Sequence, residues 1–222
     1  MGKIITLEDV KNDPAVQAYI KRADENLAMV GYTEHGPRHC GLVAKIAKQT
    51  LLELNVPGRE AELSAIAGYL HDIGNVFNRI NHPYTGAVLA HSLLADLEMN
   101  IDEITTIVAA IGNHDDDGWE PVSRVSAGLI LADKSDVHRS RVRNPDMIKF
   151  DIHDRVNYAV NKSALKVEQK SKTITLSLTI DPEISSVMEY FEIFLNRMLY
   201  CKRAAYFLGT QFRLVVNDND IL

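Results

Sequence analysis

Six residues combine ligand chemistry with suggestive placement: His39, His71, Asp72, His82, His114 and Asp133. His39 lies four residues before Val43 and seven before Ile46, so on a helix it shares their inward face. His71 follows Ala67 by four, and His114 follows Ile111 by three and Ile107 by seven. Asp133 follows Leu129 by four and Val125 by eight. Four helical segments thus put a ligand-type side chain where core is expected. An unpaired carboxylate in an apolar interior costs far more than the burial of one apolar side chain returns. A shared cation resolves the conflict, with Asp72 and Asp133 as ligands and neutral imidazoles coordinating through one nitrogen. Each residue alone has a plainer reading: a lone core histidine is usually hydrogen-bonded, and Asp133 could cap a helix or pair with an arginine. The joint pattern across four helices favours the metal.

The elements that must position these residues are mostly helices. Residues 7–30 read as a helix that Pro14 splits, and 31–36 as a turn. Pro37 suits a helix first turn, and that helix runs to about Leu54, with Leu42, Val43, Ile46, Ala47 and Leu51 at helical spacing. Further helices are expected over about 60–72, from Pro83 to Leu97, from a cap at Asp102 to Gly112, and from Pro121 through Ala132. From residue 163 the pattern changes. Ala164–Glu168 and Thr173–Ile180 read as strands about a turn, because Ile174, Leu176, Leu178 and Ile180 alternate with Thr and Ser. Residues 183–208 return to helix and Phe212–Val216 to strand. The fold class is therefore mainly α: a helical bundle over 1–162 with a small β-β-α-β appendage over 163–222.

Composition is that of an ordinary globular protein: 222 residues, 46% hydrophobic, 24% charged, net charge −6. The acidic balance argues against nucleic acid as a partner. No apolar run approaches the length of a membrane span, and the opening MGKIITLEDVKNDP has early acids and no apolar core, unlike a secretion signal. Cys40 and Cys201 stand far apart outside any C-x-x-C pattern, so no disulfide framework is expected and a reducing cytoplasm is the default.

The order His39 … His71-Asp72 … Asp133 resembles the H…HD…D signature of the HD superfamily of metal-dependent phosphohydrolases. The surrounding strings agree: RHCGLVAKIA, AGYLHDIGN and LILADKSD. HPYTGAVLA at His82 and AAIGNHDDDG at His114 resemble the added histidines of six-ligand, two-metal members. The resemblance covers roughly residues 30–140. It implies an HD-domain helical bundle in which His39, His71, Asp72 and Asp133 hold one ion, and Asp72 bridges to a second held with His82 and His114. One to two divalent ions per chain follow, and mixed His/carboxylate ligation suits Fe, Mn, Co, Ni or Zn better than Ca. Two ions about 3.5–4 Å apart generate a hydroxide nucleophile and clamp phosphate oxygens, so the implied activity is phosphoester cleavage of a small phosphorylated substrate such as a nucleotide.

Asp72 and Lys134 are the expected catalytic residues, Lys134 by gripping substrate phosphate. Arg139, Arg141 and Arg143 either share that role or form a solvated face. Asp115, Asp116 and Asp117 read as a general acid, as a contact beyond the ligands, or as a polar turn ending at Gly118. His35 precedes the first ligand helix and could touch substrate; His91 reads as structural, and His138 and His153 carry no signal. Two well-known branches fit poorly. Guanosine tetraphosphate hydrolases carry an acidic pair after the doublet, where Ile73-Gly74-Asn75-Val76 stands; cyclic di-GMP phosphodiesterases carry a paired histidine and a GYP string, where Asn113 and Trp119-Glu120-Pro121 stand. A generic phosphomonoesterase, nucleotidase or phosphodiesterase is left. The rival from another class is a metal-binding regulatory or interaction module without turnover, in which the appendage serves as a docking element or makes a homodimer through a strand edge.

Overall fold

The computed structural model describes residues 3–115 and 120–222, the side chain of Met147 excepted. The chain is mostly helical, with a C-terminal sheet. Helices α1 (Leu7–Asn12) and α2 (Pro14–Met29) are separated by Asp13. Asp13 is extended because it precedes a proline, and its carboxylate accepts from the N–H groups of Ala15 and Val16 at 2.9 Å, capping α2. Helix α3 (Pro37–Glu53) starts on Pro37 and turns His39, Val43, Ala47 and Leu51 inward. Helix α4 (Gly58–Leu70) is buried on nearly every side, which suits its run of Ala, Leu, Ile and Ser.

The HD doublet straddles the end of α4. His71 is the last residue with helical angles, Asp72 leaves the helix at φ −97°, and a 3₁₀ turn follows over Ile73–Val76. Helix α5 (His82–Asp96) is entered through Asn81 in the left-handed region, φ 62°. The 3₁₀ turn and α5 touch backbone to backbone. A Cβ on Gly74 would lie 2.1 Å from the His82 carbonyl oxygen and 2.5 Å from the Gly86 nitrogen, so only glycine lets His82 stand beside Asp72.

Helix α6 (Ile101–Gly112) is capped by Asn100, whose side chain accepts from the Asp102 N–H at 2.8 Å; the cap is two residues earlier than the expected Asp102. Helix α7 (Arg124–Ser135) starts on the Ser123 cap, not on Pro121. It is the shared wall of the molecule. Val125, Leu129 and Ala132 face the N-terminal core, while Ala127, Ile130 and Leu131 join the C-terminal one. A further helix, α8 (Ile152–Ala159), capped by Asp151, was not anticipated from the sequence.

Strand β1 (Val160–Glu168) starts four residues earlier than expected. It pairs antiparallel with β2 (Thr173–Ile180), and β2 pairs parallel with β3 (Gln211–Val216) across the crossover helix α9 (Val187–Phe207). A two-residue β4 (Asn219–Asp220) closes the order β1-β2-β3-β4. Ile174, Leu176, Leu178 and Ile180 are all buried, as their alternation implied. Cys40 and Cys201 are buried in separate cores. Among the described residues no helix is long and apolar enough to cross a membrane.

Gly74→Ala drives a methyl group into backbone, and overpacking of this kind lowers the melting temperature of a chain this size by roughly 4–10 °C. Gly41→Ala, where a Cβ meets nothing within 4 Å, is the control and leaves it unchanged or raises it. Thermal denaturation of both variants checks the expectation, and an unaltered melting point for Gly74→Ala contradicts it.

Candidate metal centre

The six residues singled out in the sequence converge. His39 comes from the first turn of α3, His71 and Asp72 from the end of α4, His82 from the first residue of α5, His114 from just past α6, and Asp133 from the last turn of α7. All but Asp133 are almost fully buried. His39 Nε2 lies 3.2 Å from His71 Nε2, 3.5 Å from Asp72 Oδ2 and 3.4 Å from Asp133 Oδ1. His71 Nε2 lies 3.1 and 3.6 Å from the same two oxygens. Four ligands at about 2.1 Å around a tetrahedral ion are about 3.4 Å apart, so these four atoms have the spacing of a coordination shell. On the other side of Asp72, Oδ1 lies 3.4 Å from His82 Nε2, which lies 3.2 Å from His114 Nε2. Asp72 thus turns one oxygen to each half of the cluster. His114 also groups with His71 and Asp133, so the centre is one continuous constellation of overlapping triads.

What suits the cluster to a metal ion in chemical terms is the other face of each ring. His71 Nδ1 donates to the Gly68 carbonyl at 2.8 Å, His82 Nδ1 to Arg79 O at 3.0 Å, and His114 Nδ1 to Ile111 O at 2.7 Å. His39 Nδ1 donates to the Asp136 carboxylate at 2.7 Å. A carbonyl or carboxylate can only accept, so all four Nδ1 atoms carry hydrogen. In the neutral rings Nε2 is a bare lone pair, and every Nε2 points into the cluster. Such partners fix tautomer and orientation in metal-binding histidines.

The charges follow. Burial pushes the Asp72 carboxylate up, but His71, His35 and Arg79 outweigh it and hold it well below the ordinary value. Burial likewise opposes ionisation of Asp133, and Lys134 with His39 and His71 overcomes it. Burial alone would keep His71 neutral; the Asp72 and Asp133 carboxylates prevail and push it up to about 10. Burial, with His71 and His82 nearby, pushes His114 down to about 3. Burial also lowers His82. A metal ion taken up through His71 Nε2 would have to displace that proton.

Several residues outside the six complete the site. Lys134 Nζ is buried and lies 3.0 Å from both Asp133 Oδ2 and Asp115 Oδ1, so it braces the Asp133 carboxylate rather than standing out to grip phosphate. Burial raises Asp115, but Lys134, His114 and Arg79 hold it well below the ordinary carboxylate value, which suits a contact beyond the ligands and not a general acid. Asp116, Asp117, Gly118 and Trp119 lie outside the described residues. Arg143 pairs with Asp24, Arg139 stacks over the Tyr158 ring, and Arg141 donates to the carbonyls of Glu34 and Asp136. His35 sits 5.5 Å from His39, ring to ring. His91 is exposed on α5, and His138 caps the turn at Ser140.

Three residues escaped the sequence reading. Asp136, three after Asp133, is the buried partner of His39 and is itself gripped by Arg38 at 2.9 Å. Asn75 donates to Asp72 Oδ1 at 2.9 Å. Arg79 reaches the same oxygen at 3.4 Å. Asn75 follows the doublet by three and Arg79 by seven, a spacing that would have flagged both had the turn been read as helical.

Two measurements on metal uptake follow. Metal affinity rises with pH by about tenfold per unit from about pH 6 to 9, because the ion displaces the His71 proton until that imidazole deprotonates by itself near 10. A flat profile contradicts the competition. Asp136→Asn, which removes the negative charge behind His39, weakens ion binding roughly tenfold or more in a calorimetric titration; unchanged binding would detach His39 from the ion.

The HD domain family model matches residues 38–139, a segment that contains all six converging side chains. The chain is also similar to an uncharacterized protein of Methanocaldococcus jannaschii, 27% identical over 205 residues, which is 82% of this chain and 78% of that protein. The likeness to the HD domain family thus spans residues 38–139 of this chain.

Proposed function

We propose that the protein is a metal-dependent phosphohydrolase that cleaves a phosphoester bond of a small phosphorylated substrate. In this reading Nε2 of His39 and His71, Asp72 Oδ2 and Asp133 Oδ1 hold one divalent ion, and Asp72 Oδ1 with Nε2 of His82 and His114 hold a second. The observation that carries it is the set of four imidazoles whose Nδ1 hydrogens are all committed outward while their Nε2 atoms face two carboxylates. Bound divalent ions would supply an acidified water and neutralise phosphate oxygens. Lys134 acts by position, holding Asp133 Oδ2 so that Oδ1 faces His39 and His71.

A cavity of about 480 Å³ adjoins the centre, of a size suited to a small molecule. His35 and Arg79 form its inner side, next to the ligands, and Arg141 and Arg197 add two more guanidiniums. Guanidiniums bind phosphate oxygens two at a time, so this wall suits an anionic ester group and leaves the rest of the substrate towards Tyr32 and Asn157.

Asp72→Ala tests the reading, because both halves of the cluster lose an oxygen. Metal content should fall and hydrolysis of a generic aryl phosphate with added Mn²⁺ should drop by about a thousandfold or more, while circular dichroism keeps its helical signal. A variant that retains most of the wild-type rate contradicts the assignment. Wild-type protein that binds metal yet hydrolyses no phosphoester would support the module without turnover instead.

A further inference from the structure

Two cationic side chains reach the cluster, and they use its atoms differently. Lys134 Nζ takes Asp133 Oδ2 at 3.0 Å and leaves Oδ1, the oxygen that faces His39 and His71, to the first half. Arg79 Nη1 instead lies 3.4 Å from Asp72 Oδ1 and 3.3 Å from His82 Nε2, with Asn75 Oδ1 at 3.5 Å. These are two of the three atoms that would hold the second ion. Because His82 Nδ1 donates to the Arg79 carbonyl, His82 Nε2 has one lone pair in the ring plane, and the guanidinium N–H points at it. One lone pair cannot serve both a hydrogen bond and a metal, and two positive charges at this separation repel.

We propose that Arg79 is a built-in competitor for the Asp72–His82–His114 half of the centre, and that a phosphate group relieves it, so that the second ion and a phosphate bind together. The inference rests on reading the cluster as a two-ion centre. Its physical basis is an asymmetry in which atoms the two side chains take: Lys134 takes the outer oxygen of Asp133, Oδ2, whereas Arg79 reaches two atoms of the second half, Asp72 Oδ1 and His82 Nε2. Arg79 is half-buried and lines the adjoining cavity beside His35 and Arg141, so the guanidinium has somewhere to go. A phosphate there offers it two charge-assisted hydrogen bonds in exchange for the long ones it leaves. The first ion then binds irrespective of substrate, and the second completes the centre only when an anion holds Arg79 away.

Calorimetric titration of the chelator-treated full chain with Mn²⁺, with and without inorganic phosphate, tests this. In the wild type one ion binds tightly and the second at least about tenfold more weakly, and phosphate strengthens the second step about tenfold. Arg79→Gln removes the charge while leaving the carbonyl that His82 contacts; it should strengthen the second step at least about tenfold without phosphate and abolish the phosphate effect on that step. Second-step affinity within about twofold of wild type in Arg79→Gln, or a phosphate effect that persists in full, overturns the proposal. Failure of the wild type to bind Mn²⁺, or one ion with no second step in both proteins, overturns the two-ion reading and this inference with it; a second step present in both proteins but indifferent to Arg79 and to phosphate overturns only the inference.

Discussion

Hydrogen-bond acceptors packed 3.1–3.6 Å apart inside a helical core repel one another unless something positive sits among them. That constraint organises the whole HD segment. Two carboxylates and four imidazole nitrogens occupy space that the hydrophobic periodicity of five helices would otherwise fill with Leu and Ile. A cation turns the repulsion into coordination; one proton on His71 answers only part of it. Arg79 apart, the surrounding features support this arrangement, from the carbonyls that fix the Nδ1 hydrogens to Lys134 bracing the outer oxygen of Asp133.

The backbone meets the demand in two places. Ending α4 between His71 and Asp72 lets consecutive side chains address the same point, which an unbroken helix would splay about 100° apart. The bare backbone contact of Gly74 with the start of α5 then brings His82 to the far side of Asp72. Helix α7 links the centre to the rest of the chain, since one face carries Asp133 and the N-terminal core while the other packs against α9 and the sheet. Asp151, His153, Asp154, Asn157 and Arg197, all beyond residue 139, line the cavity beside the centre, so the C-terminal part shapes the space next to the HD domain.

Much of this was legible in the sequence, for a physical reason: regular helices convert spacing into facing. His39 and Asp133 could be placed on inward faces because the 3.6-residue period holds along α3 and α7, and His71 and His114 because they follow directly on the inward faces of α4 and α6. What remained hidden was set by tertiary contact or by irregular backbone. Asp136 meets His39 across the molecule, from a C-cap that has no periodicity. Arg79 lies in the turn between a 3₁₀ segment and α5, so its seven-residue spacing from Asp72 points it at the doublet only if that turn is read as helical. Asn100 and Asp102 are both capable caps, and the structure picks the one whose own backbone is extended. Strand β1 was recognised late because its first residues pair through a bulge and its burial does not alternate. The alternation of β2, buried on one face, was plain.

The position of a bound metal ion tests the four-imidazole, two-carboxylate cluster most directly. Crystals of the protein soaked with Mn²⁺, with data collected to detect its anomalous scattering, give the answer without relying on turnover. The expected peak lies among His39 Nε2, His71 Nε2, Asp72 Oδ2 and Asp133 Oδ1, with all four rings keeping their Nδ1 contacts. A well-ordered protein with no peak among these atoms, or with manganese bound only elsewhere, would contradict it.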